Sequence, residues 1–429
     1  MDTLEIQPLD APVDADVDIP GSKSYTNRAL LIAALANGES RLTGALFSDD
    51  TRHMAGSLRT LGVGVKGDRA ACAFTVAGTG GRIPVPEADL FIGNSGTSAR
   101  FLTAYLGLGQ GTYTLDGNPR MRQRPIQDLL DGLRTLGVDV SSKEDTGCPP
   151  VLVNASGIRG GRATMPGDRS SQYFTALLQV APYAGQDVEI CVQGDLVSKP
   201  YIDITLDIMH DFGVEVDNDS YHTFRVRAGQ RYRPQHYRVE PDASNASYFF
   251  AAAALTGGRV KVRSLTGSSA QGDVGFVDIL ERMGCTVRKD TDGIEVRGPQ
   301  KLAGIDVDLN GMTDTVQTLC AVAPFASGPV TVRNVAHMRI KETDRIAALE
   351  TELGKLGARV AARPDGLTIH PPDRIRPAEL DTYDDHRMAM SLSLVGLAAP
   401  GIVIRDPDCV NKTFPTYFEV LNRLRCHAH

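Results

Sequence analysis

One arrangement of apolar and polar positions recurs six times along the chain. SKSYTNRALLIAALANG, GTSARFLTAYLGLGQG, DRSSQYFTALLQVAPYAG, DASNASYFFAAAALTGG, MTDTVQTLCAVAPFASG and DDHRMAMSLSLVGLAAPG each open on small, hydroxyl-bearing or acidic residues. Each then turns continuously apolar and closes on Gly38, Gly111, Gly185, Gly257, Gly328 or Gly401. That pattern predicts N-capped helices buried on every side. A second segment repeats in phase. SLRTLGVGV, GLRTLGVDV, IMHDFGVEV, ILERMGCTV and ELGKLGARV place Gly62, Gly137, Gly213, Gly284 and Gly357 about 71 to 76 residues apart. Each reads as an outer helix closed by a C′ glycine, followed at once by a strand. A further step lands on VLNRLRCHAH, where the chain stops inside what would be the sixth copy. Short strands such as ACAFTV at 71–76, PVLVN at 150–154, RVKVRSL at 259–265 and GIVIRD at 401–406 fill the gaps.

The repeat therefore predicts an α+β fold of six βαβαββ units made of α/β-type repeats. A single core stops growing near about 250–300 residues, so three units per domain is the natural partition. The charged, Pro-containing stretch at 231–245 marks the boundary. The expected domains are 21–238, and 1–20 together with 239–429, with the active site in the cleft between them.

Composition narrows the class. The 429 residues are 42% hydrophobic and 23% charged, which excludes disorder, and a formal charge of −7 argues against nucleic-acid binding. Seven cysteines form no CxxC pair and read as reduced thiols, without a structural metal. The acidic amino terminus lacks the apolar run of a secretory signal, and the stretches at 29–36 and 391–404 are too short or broken to span a bilayer. The expectation is a cytoplasmic monomer that needs no metal or cofactor and contacts neither nucleic acid nor membrane.

The chemistry gathers at helix starts. Gly21-Ser22-Lys23-Ser24 with Arg28, Asn94-Ser95-Gly96-Thr97-Ser98 with Arg100, and Arg169-Ser170-Ser171-Gln172 open three of the buried helices. Arg120, Arg122 and Arg124 crowd one loop, and Ser198-Lys199-Pro200-Tyr201 opens an outer helix. The second half adds Asp314, the run from Arg339 through Lys341 and Glu342 to Arg345, then Asp384-Asp385-His386-Arg387 and Asn411-Lys412-Thr413. Taken singly, each basic residue reads as a solvated surface group. Cations at helix starts oppose the helix dipole, however, and their recurrence predicts a bound anion that shares the free N–H groups and the basic side chains.

These motifs, in this order and over essentially the whole chain, resemble the EPSP synthase family of enolpyruvyl transferases. The resemblance rests on GSKSYTNRALLIAAL, GNSGTSAR, RPIQDLLDGLRTLG, SKPYIDITL, RIKETDRI, DDHRMAM and NKTFPTYF. It implies two domains of three βαβαββ units, and transfer of the enolpyruvyl group of phosphoenolpyruvate to the 5-hydroxyl of 3-phosphoshikimate, on the route to aromatic amino acids. Carried over residue by residue, it implies Lys23, Ser24, Arg28, Ser170, Ser171, Gln172, Ser198, Asp314, His337 and Lys341 as 3-phosphoshikimate contacts. Lys23, Asn94, Gly96, Arg124, Gln172, Arg345, His386, Arg387 and Lys412 fall on the phosphoenolpyruvate side. Asp314, Glu342, Lys23 and Lys341 surround the reacting centre.

Two departures from close relatives stand out: Phe101 replaces a common Pro, and His337 replaces an Asn. Both bear on pocket shape, and Phe101 on the response to glyphosate, which occupies the family's phosphoenolpyruvate site. The sister enzyme acting on UDP-N-acetylglucosamine carries a Cys in the loop matching 115–125, and LDGNPRMRQRP has none. A non-catalytic repeat scaffold would lack the acid and base groups that are present here.

Overall fold

The computed structural model describes residues 2–426, which divide into two compact units, residues 21–239, and residues 2–20 with 240–426. The first unit carries α1 (Lys23–Leu35), α2 (Asp49–Thr60), α3 (Gly96–Leu106), α4 (Gln127–Thr135), α5 (Ser171–Val180) and α6 (Pro200–Asp211). The second carries α7 (Ala243–Thr256), α8 (Phe276–Arg282), α9 (Val316–Val322), α10 (Arg345–Lys355), α11 (His386–Ala398) and α12 (Tyr417–Cys426). The odd-numbered helices are the inner ones. In α1, α3, α7, α9 and α11 nearly every side chain is withdrawn from water, as unbroken apolar runs require.

Four of the inner helices, α3, α5, α9 and α11, cross between two strands that pair in parallel. Glu87–Phe91 and Gln110–Asp116 pair in parallel around α3, and Asp139–Ser142 and Val151–Ser156 complete the sheet antiparallel. This is the βαβαββ unit. Gly161–Pro166 pairs in the same way with Val188–Gln193 around α5, and Ile305–Asp308 with Val330–Arg333 around α9. Two copies are completed from a distance. His236–Arg238 returns to lie parallel to the strand after α1, while Asp14–Val17 lies parallel to Arg259–Arg263 after α7. The second pairing ties the first residues of the chain to the second unit. Val239, which the sequence assigned to the second domain, stays with the first because its N–H donates to Thr43 O at 2.8 Å.

The sixth copy has two parallel strands, Ala378–Leu380 and Ile402–Arg405, and Thr3–Ile6 supplies an antiparallel third. The outer helix α12 begins at Tyr417 and runs into VLNRLRCHAH, whose last three residues lie outside the described residues.

The glycine expectations divide. All five outer-helix glycines have φ between 85° and 107°, the left-handed C′ position. Among the inner-helix glycines only Gly257 is a helix cap (φ 66°). Gly38 and Gly111 lie inside the following strands instead. At Gly111 a Cβ would stand 1.8 Å from Pro86 O, so the bare backbone is what lets neighbouring chains approach. Cys72, Cys148, Cys191, Cys285, Cys320 and Cys409 are free thiols. No described helix is long and apolar enough to cross a membrane.

Candidate active site

Five of the six inner helices begin with a side-chain cap. Ser22, Ser95, Ser170, Asp242 and Asp385 each accept a backbone N–H of the first turn. The sixth, α9, follows a 3₁₀ turn over Asn310–Thr315, and no side chain caps it. Asp314 stands where the caps stand in the other copies, and its carboxylate turns elsewhere. Oδ2 accepts from Arg387 Nη2 at 2.7 Å, and Oδ1 from Arg345 Nη1 at 3.5 Å.

Arg345 organises the cluster. It opens α10 and is 1% exposed. Nε and Nη2 grip Asp385 in a two-point contact at 2.7 and 3.1 Å, and Nη2 also reaches Glu342 at 3.0 Å. Burial alone would lower its pKa, but Asp385, Glu342 and Asp314 together hold it above the ordinary guanidinium value. Taking such a charge out of water costs several kcal/mol unless it is matched, so removing any one carboxylate is expensive. Glu342 extends the network to Lys412, whose Nζ lies 3.8 Å from Oε1. Arg387 adds contacts to Tyr248 Oη (3.3 Å) and Asp314 O (3.4 Å), and its own N–H donates to Asp385 at 2.9 Å. His386, the first residue of α11, is fully buried, with Nδ1 3.7 Å from Asp385.

His337 lies in a 3₁₀ turn over Ala336–Ile340 and is buried. Burial first, and then the Lys341 charge, push its pKa down to about 3, so the ring is neutral through the physiological range. Lys341 is half-buried directly after that turn.

The first unit holds a second polar cluster. Gly21 permits the entry to α1, because a Cβ there would lie 1.9 Å from Gly44 O. Lys23 Nζ is 3.5 Å from the buried Asp50 carboxylate in the first turn of α2. Arg28 is 1% exposed and donates to Thr205 Oγ1 (2.8 Å), Ser24 O (2.9 Å) and Tyr201 O (3.0 Å). None of these acceptors is a carboxylate, and burial pushes its pKa down to about 10. The Phe101 ring, fully buried on α3, lies 5.3 Å from the guanidinium. The departure at residue 101 therefore bears directly on Arg28.

Arg124 Nη1 donates to both the backbone and side-chain oxygens of Asn94, each at 3.1 Å. Gly96 opens α3 beneath it, and a Cβ at Gly96 would meet Arg124 Nη2 at 2.6 Å and Arg100 Nη1 at 3.2 Å. Asn94, Gly96 and Arg124 thus form one group. Ser170 caps α5 by accepting from Gln172 N at 3.3 Å, with Ser171 buried between them. Ser198 sits at φ 54° just before α6.

Several basic residues singled out by sequence lie elsewhere. Arg122 pairs with Asp116, Arg169 with Asp128 and Arg339 with Asp344, each partly or largely in solvent. Lys199 lies over the Tyr221 ring. In the second unit the basic helix starts also have carboxylate partners within the protein, in Asp314, Glu342 and Asp385. Sequence reading did not single out Asp385 or Asp50 as site residues. Asp385 was legible as the cap beside His386-Arg387, and Asp50 as an acid in a first helical turn. It also passed over Asp273. This residue is buried, accepts from the Ser244 hydroxyl, and is pushed up to about 7 by burial and then by Asp314. Only its place in Gln271-Gly272-Asp273 before α8 could have signalled it.

Comparison with known proteins places this arrangement. The model of the EPSP synthase (3-phosphoshikimate 1-carboxyvinyltransferase) family matches residues 9–421. A 3-phosphoshikimate 1-carboxyvinyltransferase of Nostoc punctiforme is 54% identical over 97% of this chain and 98% of its own. One from a Sulfurovum species is 48% identical over 99% of each. The solved EPSP synthase of Acinetobacter baumannii superposes with a TM-score of 0.83 at 25% identity, covering 98% of both chains. The enolpyruvyl transferase NikO of Streptomyces tendae, at 20% identity and a TM-score of 0.76, shares the fold. With its six repeats, its uncapped Asp314 and its paired arginines, the chain belongs to the EPSP synthase family.

Proposed function

We infer that the chain transfers the enolpyruvyl group of phosphoenolpyruvate to the 5-hydroxyl of 3-phosphoshikimate, giving 5-enolpyruvylshikimate 3-phosphate and phosphate. The observation that carries this reading is the family match over residues 9–421, with identities near one half across whole chains.

The reaction proceeds by addition and elimination. The 5-hydroxyl oxygen attacks C2 of phosphoenolpyruvate while the double-bond electrons take a proton at the methylene, giving a tetrahedral phosphate ketal. Loss of a proton from the new methyl group restores the double bond, and the C2–O bond to phosphate breaks. Such a path needs an acid and a base near the methylene and the hydroxyl, and cations around the carboxylate and phosphates.

In this reading Asp314 takes the 5-hydroxyl proton, alone or with Lys341, while Glu342 and Lys23 serve methylene protonation and the leaving phosphate. The orientation of Asp314 by Arg387 and Arg345 supports its role, since the two guanidinium groups fix the direction of the carboxylate. Arg124, Arg345, Arg387 and Lys412, with Asn94, Gly96, Gln172 and His386, take phosphoenolpyruvate. Lys23, Ser24, Arg28, Ser170, Ser171, Gln172, Ser198, His337 and Lys341, with Asp314, take 3-phosphoshikimate. The absence of a carboxylate on Arg28 among the described residues supports an anionic ligand there, and neutral His337 suits a hydrogen bond to a hydroxyl of the shikimate ring.

The direct test is phosphate release from phosphoenolpyruvate with each acceptor in turn. Release with 3-phosphoshikimate and none with UDP-N-acetylglucosamine is expected; the reverse preference would overturn the reading.

The contact geometry at Gly96 gives a second expectation. A methyl group there must displace the Arg124 guanidinium, and glyphosate, being longer than phosphoenolpyruvate, tolerates that shift less well. Gly96→Ala should therefore raise the glyphosate inhibition constant by a larger factor than the phosphoenolpyruvate KM. Equal factors in steady-state inhibition assays would show that residue 96 does not discriminate.

His337 predicts a pH effect on stability. Its folded pKa of about 3 lies below an unfolded value near about 6.5, so below pH 6.5 the unfolded chain binds a proton that the native state refuses. The stability this residue contributes is complete above that pH and is lost as pH falls toward 3, with a limiting slope of about 1.4 kcal/mol per pH unit. Urea unfolding between pH 7 and 4 should fall less steeply for His337→Asn than for the parent. Parallel curves would contradict the depressed pKa.

A further inference from the structure

Glu352 on α10 is a carboxylate with no exposed surface and no part in the chemistry above. It lies two helical turns beyond Arg345, on the same face of the helix. Burying a carboxylate is costly unless hydrogen bonds and cations compensate it, and here they do so fully. Oε1 accepts from Tyr383 Oη at 2.6 Å, and Oε2 accepts from Asp381 N at 3.0 Å and from Lys355 Nζ at 2.7 Å. Lys355 also reaches the Asp381 carboxylate at 2.9 Å.

The segment held in this way has an unusual backbone. Tyr383 and Asp384 are consecutive non-glycine residues in the left-handed region, at φ 57° and 53°. Such a pair persists only where its surroundings over-determine it. The next residue, Asp385, donates its N–H to Thr382 O at 2.9 Å, caps α11 and receives the two-point contact from Arg345. One face of α10 therefore grips the turn at both ends, through Glu352 at Asp381 and Tyr383, and through Arg345 at Asp385. Relaxation of the turn would move Asp385 and, with it, the first turn of α11 that carries Arg387.

We propose that Glu352, acting through Tyr383 and Lys355, is a positioning residue for phosphoenolpyruvate binding, holding the 381–385 turn so that Asp385 keeps Arg345 and Arg387 in place. The proposal rests on the assignment of those two arginines to phosphoenolpyruvate.

Tyr383→Phe tests it with little risk to folding, because it removes one hydroxyl from a side chain already 40% exposed. Glu352→Gln is the stronger change, and Arg387→Met is the control for ligand assignment. Losing one hydrogen bond to a buried charge should raise the phosphoenolpyruvate KM by about fivefold or more in Tyr383→Phe. The rise should be larger in Glu352→Gln, and the 3-phosphoshikimate KM should stay within about twofold of the parent in both. If Arg387→Met raises the phosphoenolpyruvate KM and Tyr383→Phe does not, or if Tyr383→Phe raises both constants equally, the positioning role is wrong and the ligand assignment stands. If Arg387→Met raises the 3-phosphoshikimate KM instead, the ligand assignment fails and the proposal falls with it.

Discussion

A guanidinium shut away from water has to be matched in charge, and Arg345 is matched by three carboxylates from three different segments. Asp314 precedes α9, Glu342 precedes α10, and Asp385 opens α11. Each carboxylate is thereby fixed in direction as well as in charge. The starts of these three helices are registered by this one contact. Arg387 joins the network through Asp314 and Asp385, and Lys412 through Glu342.

The first unit meets the problem differently. Arg28 has carbonyl and hydroxyl partners but no carboxylate, and it lies beneath a fully buried aromatic ring. A buried cation compensated only by dipoles is stabilised further when an anion arrives, which fits a role in taking a phosphate. The two clusters thus differ in how their buried guanidinium groups are matched: by carboxylates around Arg345, and by carbonyl and hydroxyl oxygens around Arg28.

Much of this was legible in sequence because it depends on periodicity. Inner helices, outer helices and C′ glycines follow from where apolar residues and Gly62, Gly137, Gly213, Gly284 and Gly357 fall. The origin of the completing strands was not legible, since His236–Arg238 and Asp14–Val17 pair across long stretches of chain that no local pattern records. The motifs brought out Asp314, Glu342, Arg345 and Arg387 as site residues, but not that the acids and cations pair with one another. Asp385 was named only as part of its motif, and Asp50 and Asp273 were passed over, because a cap, a first-turn acid and an isolated Asp look ordinary until burial is known. Conversely, Arg122, Arg169 and Arg339 looked like ligand cations and proved to be paired nearer the surface.

The central claim is that Asp314, spared from capping and aimed by two arginines, is the base for the 5-hydroxyl. Single-turnover phosphate release by Asp314→Asn, with both substrates saturating and thermal unfolding followed in parallel, tests it most directly. Asn keeps the side-chain shape and one acceptor for Arg387 while losing the basic oxygen. Release should slow by about a thousandfold with unfolding still a single cooperative step, at a lower temperature than the parent's because Arg345 loses one carboxylate. Release within tenfold of the parent, in a protein that folds normally, would contradict it.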